Sequence, residues 1–334
     1  ANRNKRSVTV NIAAGAGQAL IRELAAEADV LLENYKIGTL ARYGLGPDEL
    51  LKLNPRLIYC SISAFGQTGS RAAEPGYDAM IQASAGLMSI TGSESGGPQK
   101  VGVAISDIMA GMYATTAILA ALNARAESGR GQHIDVPLYD SQVAWLANQN
   151  MNFLISGTAP ARMGTAHPNL VPYQAFETRD GNLMLTVGND RQFRSCCDVF
   201  ELPQIKIDPR FATMKKRIQN RDLLIPILQS RLKERESSEW LALLLEQGVP
   251  AGPVNDIAEV LSNQHARERN LVRQIRNSEN ISVPTVSNPV EFAETPVCYE
   301  HAPPALGEHT NEVLREWLGY SDARIDALRK NAVI

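Results

Sequence analysis

The first part of the chain alternates between two hydrophobic periods. Short continuous or alternating apolar runs predict strands, and apolar positions three and four apart predict helices. SVTVNI (Ser7 to Ile12) reads as a strand. Gln18 to Ala28 reads as a helix with Ala19, Leu20 and Leu24 on one face, and DVLLEN (Asp29 to Asn34) as a buried strand. Pro47 to Leu53 is a short helix that opens on its proline, where a backbone N–H would lack a partner anyway. RLIYCSIS (Arg56 to Ser63) is another strand, and strands spaced by helices predict parallel βαβ units. A Gly-rich loop (Phe65 to Gly69), a helix around Tyr77 to Gly86 and a polar, hairpin-like loop, TGSESGGPQK, come next. VGVAISDIMAGM then leads into a long, almost uncharged helical run, and SGRGQHIDVPLYD gives a turn and a further strand.

The texture changes from about Gly157. TAPARMGTAHPNLVPYQAF carries prolines at 160, 168 and 172 and reads as a linker. DGNLMLTVGN (Asp180 to Asn189) predicts a hairpin strand after a D-G turn. Helices are expected at Asp190 to Phe200, Asp222 to Arg235, Ser238 to Gln247 and Asp256 to Asn263, with VPAGPVND breaking the last pair. Two short helices close the chain, the second capped by Ser321. The division is a large α/β domain over residues 1–155, a linker over 156–172, a small α+β domain over 173–290, and a C-terminal segment over 291–334. No internal repeat interrupts it.

Composition narrows the function classes. With 334 residues, 44% hydrophobic and 21% charged, the chain is long enough for two domains and a large core. A net charge of −3 gives neither a nucleic-acid footprint nor a polybasic membrane patch. The uncharged run from Ile108 to Leu122 is expected to be too short to cross a bilayer. Cys60, Cys196, Cys197 and Cys298 show no C-x-x-C spacing, which favours buried thiols in a reducing compartment over disulfides or zinc. ANRNKRSVTVNI enters a strand almost at once, without an initiator Met or an apolar leader, so an N-terminal piece of the natural protein is expected to be missing.

Candidate chemistry is sparse. In VNIAAGAGQAL a strand leads to Gly15-x-Gly17, but Leu20 stands where a dinucleotide fingerprint needs its third glycine. Asn34 follows a strand's C-terminal end, where parallel sheets bind ligands, and Arg42 lies within reach of a phosphate; a solvated surface loop is the plainer account. His167 sits in a Gly/Pro-rich loop, the histidines show no metal-ligand spacing, and no G-x-S-x-G is present. The vicinal Cys196–Cys197 pair reads as core packing. Asp107 interrupts the apolar stretch at a helix start. It could cap the helix, or it could be the ionised, positioned carboxylate that covalent acyl transfer requires.

Eight segments in order resemble the class III CoA-transferase family (CaiB/BaiF type), which includes the α-methylacyl-CoA racemases. They are NRNKRSVTVNI, DVLLENYKIGTLARYGLG, NPRLIYCSISAFGQTG, PGYDAMIQASAGLMSITG, VGVAISDIMAGMYATTAILAAL, GRGQHIDVPLYDSQVA, GVPAGPVND and LGEHTNEVL. The resemblance implies that Asp107 is the nucleophile, passing through an aspartyl–acyl anhydride and an aspartyl–CoA thioester, with no metal or tightly bound cofactor. It carries the CoA contacts onto Val10, Asn34, Tyr35, Thr39 and Arg42, and the acyl site onto Tyr77 and Asp78. The racemase branch has a histidine in G-H-D where this chain reads Gly76-Tyr77-Asp78, and tyrosine is a poor base near neutral pH. The loop RMGTAHPNLVPYQAF resembles the branch that uses dicarboxylic acids, including the succinyl-CoA:glutarate transferases, with Arg162, Gly164 and His167 as acceptor-binding candidates.

Three departures accompany the likeness: the upstream residues that family members carry, the lack of a glycine run closing over the site, and Pro75 where some members have lysine. The fold implied is a Rossmann-like large domain built from both chain ends, a small α+β domain, and an interlocked homodimer. Acyl-CoA and small carboxylic acids are the implied partners, in a bacterial cytoplasm or a mitochondrial matrix. A racemase-like enzyme and a non-catalytic CoA-binding fragment are the alternatives.

Overall fold

The computed structural model describes residues 2–334. The elements are, in order, α1 (Gly15–Glu27), β1 (Val30–Glu33), α2 (Pro47–Leu53), β2 (Ile58–Ser63), α3 (Asp78–Ser84), α4 (Leu87–Ile90), α5 (Ile105–Ser128), β3 (His133–Pro137), α6 (Leu138–Trp145) and α7 (Asn148–Ser156). Then come β4 (Tyr173–Glu177), β5 (Asn182–Thr186), α8 (Asp190–Val199), α9 (Pro203–Ile207), α10 (Met214–Gln219), α11 (Arg221–Leu232), α12 (Ser237–Glu246), β6 (Ala251–Pro253) and α13 (Ile257–Ser262). The chain ends with α14 (Gln264–Glu268), the β7–β8 hairpin (Val272–Arg276, Ser282–Val286), α15 (Thr310–Leu318) and α16 (Asp322–Lys330).

The chain forms two compact units. One contains residues 1–87, 100–159 and 264–334; the other contains 88–99 and 160–263. Residues 264–290, which the sequence reading assigns to the small domain, therefore belong to the first unit, and the 88–99 loop belongs to the second. Hydrophobic periodicity finds elements but carries no information on which core a short hairpin joins.

In the first unit β1, β2 and β3 form a parallel sheet in that order. The central strand is buried along almost its whole length, as expected of a strand covered on both faces. Its Cys60 packs with Phe65, Ile81, Ala110 and Ala114, while Leu57 and Tyr59 pack with Leu45 and Leu50. The expected strand over SVTVNI is absent. That stretch pairs with no strand, and its backbone bonds go to the C-terminal segment: Asn11 N–H to the Val333 carbonyl at 2.8 Å, and His309 N–H to the Ser7 carbonyl at 2.9 Å. Extended backbone becomes a strand only where a neighbour runs alongside, and that is a tertiary fact.

The second Gly of Gly15-x-Gly17 has a packing role. Both glycines lie in the first turn of α1, and a Cβ on Gly17 would stand 2.0 Å from the Asn11 carbonyl oxygen. The glycine thus admits the chain's own backbone rather than a pyrophosphate.

α5 is longer than the uncharged run inside it, and by length and composition alone its 24 residues could cross a membrane. It packs on β2, β3, α3 and α6 within its unit. Its last turn is tied in by Arg125, which pairs with Asp29 at 2.7 Å and donates to the Arg56 carbonyl at 2.9 Å.

In the second unit β4, β5 and β6 form an antiparallel sheet; VPAGPVND, expected only to break helices, supplies β6. Phe176, Leu185, Phe193, Phe200, Leu228 and Trp240 fill the core. Cys196 and Cys197 are buried there, and burial pushes the Cys197 thiol up to about 12. Arg217 is fully buried with every nitrogen engaged: Nε with the Val171 carbonyl, one Nη with the Phe211 carbonyl, the other with Asp190 at 2.8 Å.

Candidate active site

The carboxyl ends of β1, β2 and β3 converge on one cavity of about 510 Å³. Asn34, Ser63 and Leu138 stand just at or beyond those strand ends, and Tyr77 and Asp107 close the wall. A crevice outside the carboxyl ends is where parallel sheets place ligands, because the loops there are free of the ladder. Gly76 makes the wall possible: a Cβ there would lie 2.6 Å from the Ala64 Cβ.

Asp107 is the third residue of α5, and Ala104 holds the N-cap position. The cap is instead supplied across the fold. Asp78 Oδ1 accepts the Ser106 N–H at 2.8 Å, and its Oδ2 accepts from Gln82 Nε2 at 2.7 Å. A neighbouring helix therefore does the work of a capping side chain, and among the described residues nothing donates a hydrogen bond to Asp107. Burial, then the Asp78 charge, push the Asp107 carboxyl above the usual carboxylate range. A more basic carboxylate is a stronger nucleophile, and the α5 N-terminus still favours its ionised form.

The cavity collects four of the sequence candidates: Asn34, Tyr35, Tyr77 and Asp107. Asn34 is anchored by donating to the Ile62 carbonyl at 2.8 Å, and the Tyr35 N–H donates to Glu33 at 2.7 Å. Tyr77 is 85% exposed at the start of α3. Asp78 does not line the cavity; it holds α5, as described. Thr39 and Arg42 lie in the turns after β1, with Arg42 exposed and without an ion-pair partner among the described residues. Val10 lines a different groove, with Leu306, Ala332 and Val333.

Sequence reasoning missed Lys36 and Glu74, which line the cavity, and Gln82 and Ser106, which lie buried behind it. Lys36 was within reach, since it directly follows Asn34-Tyr35. Glu74 is matched by Arg71 at 2.9 Å, which leaves Lys36 as an unpaired cation on the wall among the described residues. No group of three or more metal-ligating side chains occurs among the described residues.

Arg162, Gly164 and His167 belong to the second unit. Arg162 donates to the Gly96 carbonyl at 2.9 Å, and its buried Nε has no partner. Gly164 has φ +61° and donates its N–H to the Gly92 carbonyl. His167 Nδ1 accepts the Asn169 N–H at 3.0 Å, and the ring lies 5.1 Å from that of Tyr173. Burial, with the Arg221 charge second, pushes its pKa down, so the ring is a neutral hydrogen-bonding group near pH 7 and the cationic side chain of this trio is Arg162.

Comparison with known proteins matches residues 1–310 to the model of CoA-transferase family III. The chain is 44% identical to the succinate–glutarate CoA-transferase of Agrobacterium fabrum, over 94% of this chain and 79% of that protein. It is 40% identical to the succinyl-CoA:glutarate CoA-transferase of Homo sapiens, over 100% of this chain and 76% of that protein. Among solved structures, a CaiB/BaiF family protein from Brucella suis superimposes with a TM-score of 0.81 at 42% identity, covering 95% of this chain and 82% of that one. The chain belongs to CoA-transferase family III.

Proposed function

We propose that this protein moves CoA from succinyl-CoA to a dicarboxylic acid of the glutarate type, with Asp107 as the nucleophile. The observation that carries the reading is the placement of Asp107: a carboxylate with no donor among the described residues, on the wall of the cavity at the sheet's carboxyl edge, while Asp78 caps the helix in its place. The names of the relatives from Agrobacterium fabrum and Homo sapiens support the donor and acceptor.

In this mechanism an Asp107 oxygen adds to the thioester carbonyl, and the C–S bond breaks. The products are a succinyl–aspartyl anhydride and CoA thiolate. The thiolate attacks the aspartyl carbonyl and expels succinate, leaving an aspartyl–CoA thioester. The acceptor carboxylate then attacks that carbonyl and releases the thiolate, which takes the acceptor's acyl group and frees Asp107. Every step exchanges one activated acyl bond for another, so no electron or net proton is transferred.

Asn34, Tyr35 and Lys36 on the cavity wall are assigned to the donor; the resemblance assigns Thr39 and Arg42, in the turns after β1, to its CoA moiety, and Val10, in a separate groove, to the adenine. Tyr77 faces the acyl group, and a tyrosine there, in place of a histidine base, supports transfer over racemisation. For the acceptor's second carboxylate the sequence resemblance supplies Arg162, Gly164 and His167 as the candidates, with Arg162 the cation among them.

The same reading includes a homodimer of interlocked chains. Exposed Met112, Leu119, Leu154 and Ile155 on α5 and α7 are the apolar surface that a second copy would cover. A reducing compartment, cytoplasm or mitochondrial matrix, suits the buried free thiols.

The test incubates the protein with succinyl-CoA and glutarate and follows thioesters by mass spectrometry. Glutaryl-CoA is expected, together with a hydroxylamine-sensitive adduct on Asp107. Full turnover by Asp107→Asn would remove the nucleophile from the scheme.

A further inference from the structure

Asp107 lies in the first turn of α5, which is packed through Ser106, Met109 and Ala110, but the chain enters that turn along an open stretch. Gly102, Val103 and Ala104, the residues entering α5, are exposed. Among the described residues nothing donates to the Asp107 side chain to fix its direction. Its direction therefore depends on how α5 is seated and on whatever fixes the backbone of residues 101–106 that leads into it.

That backbone is fixed from α3 by one side chain and its partner. Gln82 is fully buried. Its Oε1 accepts the Val101 N–H at 2.8 Å, and its Nε2 lies 2.7 Å from Asp78 Oδ2 and 3.4 Å from the Val103 carbonyl. The amide can sit only this way round, because the flipped form would face N–H against N–H and oxygen against carboxylate. Asp78, held by Gln82, in turn takes the Ser106 N–H at 2.8 Å. The Ser106 hydroxyl donates to the buried Gln142 on α6 at 2.8 Å. Val101, Val103 and Ser106 are thus all tied to one Gln82–Asp78 couple, and Asp107 is the next residue along.

We propose that Gln82 is a positioning residue for the transfer reaction: its buried amide holds the 101–106 segment and orients Asp78, and together these set the line along which Asp107 meets the thioester. This rests on the reading of Asp107 as nucleophile. A buried glutamine with a purely structural role would change stability. A positioning role changes the chemical step while leaving CoA binding alone, since Gln82 does not line the cavity.

The experiment compares Gln82→Met, Gln82→Glu and Asp107→Asn with the parent, using succinyl-CoA and glutarate well below each protein's melting temperature. Gln82→Met keeps the length and removes the bonds; kcat is expected to fall by about 100-fold, the scale of a misplacement near 1 Å, with KM for succinyl-CoA nearly unchanged. Gln82→Glu keeps the acceptor for Val101 but sets a carboxylate against Asp78. Only when protonated can it donate, so its kcat relative to the parent should rise as the pH falls from 8 to 6. Parent-like kcat in Gln82→Met, or a pH dependence of Gln82→Glu parallel to the parent's, overturns the proposal. If Gln82→Met fails to fold, the pH ratio of Gln82→Glu decides alone. Turnover surviving in Asp107→Asn would instead overturn the nucleophile assignment, so the two failures are distinguishable.

Discussion

At the residue scale the central question is why a carboxylate stands at the start of α5. Asp78 already satisfies the helix N-terminus, so Asp107 is not needed there. Its carboxyl is also held above the usual range, which means the folded state disfavours its charge relative to the unfolded chain. Asp107→Asn is therefore expected to melt at or slightly above the parent at pH 7 while turnover collapses. The stability difference should vanish as the pH falls below the ordinary carboxylate pKa, where both folded and unfolded chains carry the proton; thermal melts across pH 3 to 7 check this. The same upward shift in the free protein places the acidic limb of the kcat/KM profile above the range of a free aspartate, with activity lost as the pH falls through it. A limb at or below that range would contradict the burial and Asp78 effects.

At the element scale, each unit has one internal tie that its periodicity does not suggest. Replacing Gly17 with alanine improves α1 propensity by about 1 kcal/mol. It also places a methyl 2.0 Å from the rigid Asn11 carbonyl, and overpacking costs about 1–3 kcal/mol or more. The clash should win, giving a lower denaturation midpoint for Gly17→Ala. In the second unit Arg217 joins the Val171 segment, the Phe211 turn and α8 through one guanidinium. Arg217→Met would strand two carbonyls, at about 1–3 kcal/mol each, beside the Asp190 charge. Urea unfolding is expected to show a loss of about 2–5 kcal/mol.

At the scale of the whole molecule, exposed apolar surface is the dominant feature. A helix as apolar as α5 is stable in water only if most of that face is covered, and among the described residues Met112 and Leu119 remain open. Dimerisation would cover them. Leu119→Glu, more than two turns along α5 from Asp107, is expected to weaken or abolish the dimer in sedimentation equilibrium and to lower the melting temperature in a concentration-dependent way. A parent that sediments as a monomer would remove the dimer from the proposed function.

The strands β1, β2 and β3 and their parallel sense, the helices between them, the Ser321 cap and the buried Cys196–Cys197 pair are all legible in the amino-acid order, because each depends on local period, turn chemistry or residue type. So was Asp107 as the carboxylate to watch, and Asn34 at a strand's end. What the order could not carry is partnership across distance. SVTVNI has a strand's pattern, yet its backbone bonds run to residues some three hundred positions away. Asp107 looks like a cap until Asp78, from another helix, takes that bond, and Gln82 looks like one more polar residue on α3 until Val101 is found against it. Local propensity is written in neighbouring residues; the satisfaction of buried polar groups is settled only when the chain has closed on itself, and here that closure frees one aspartate to face the cavity.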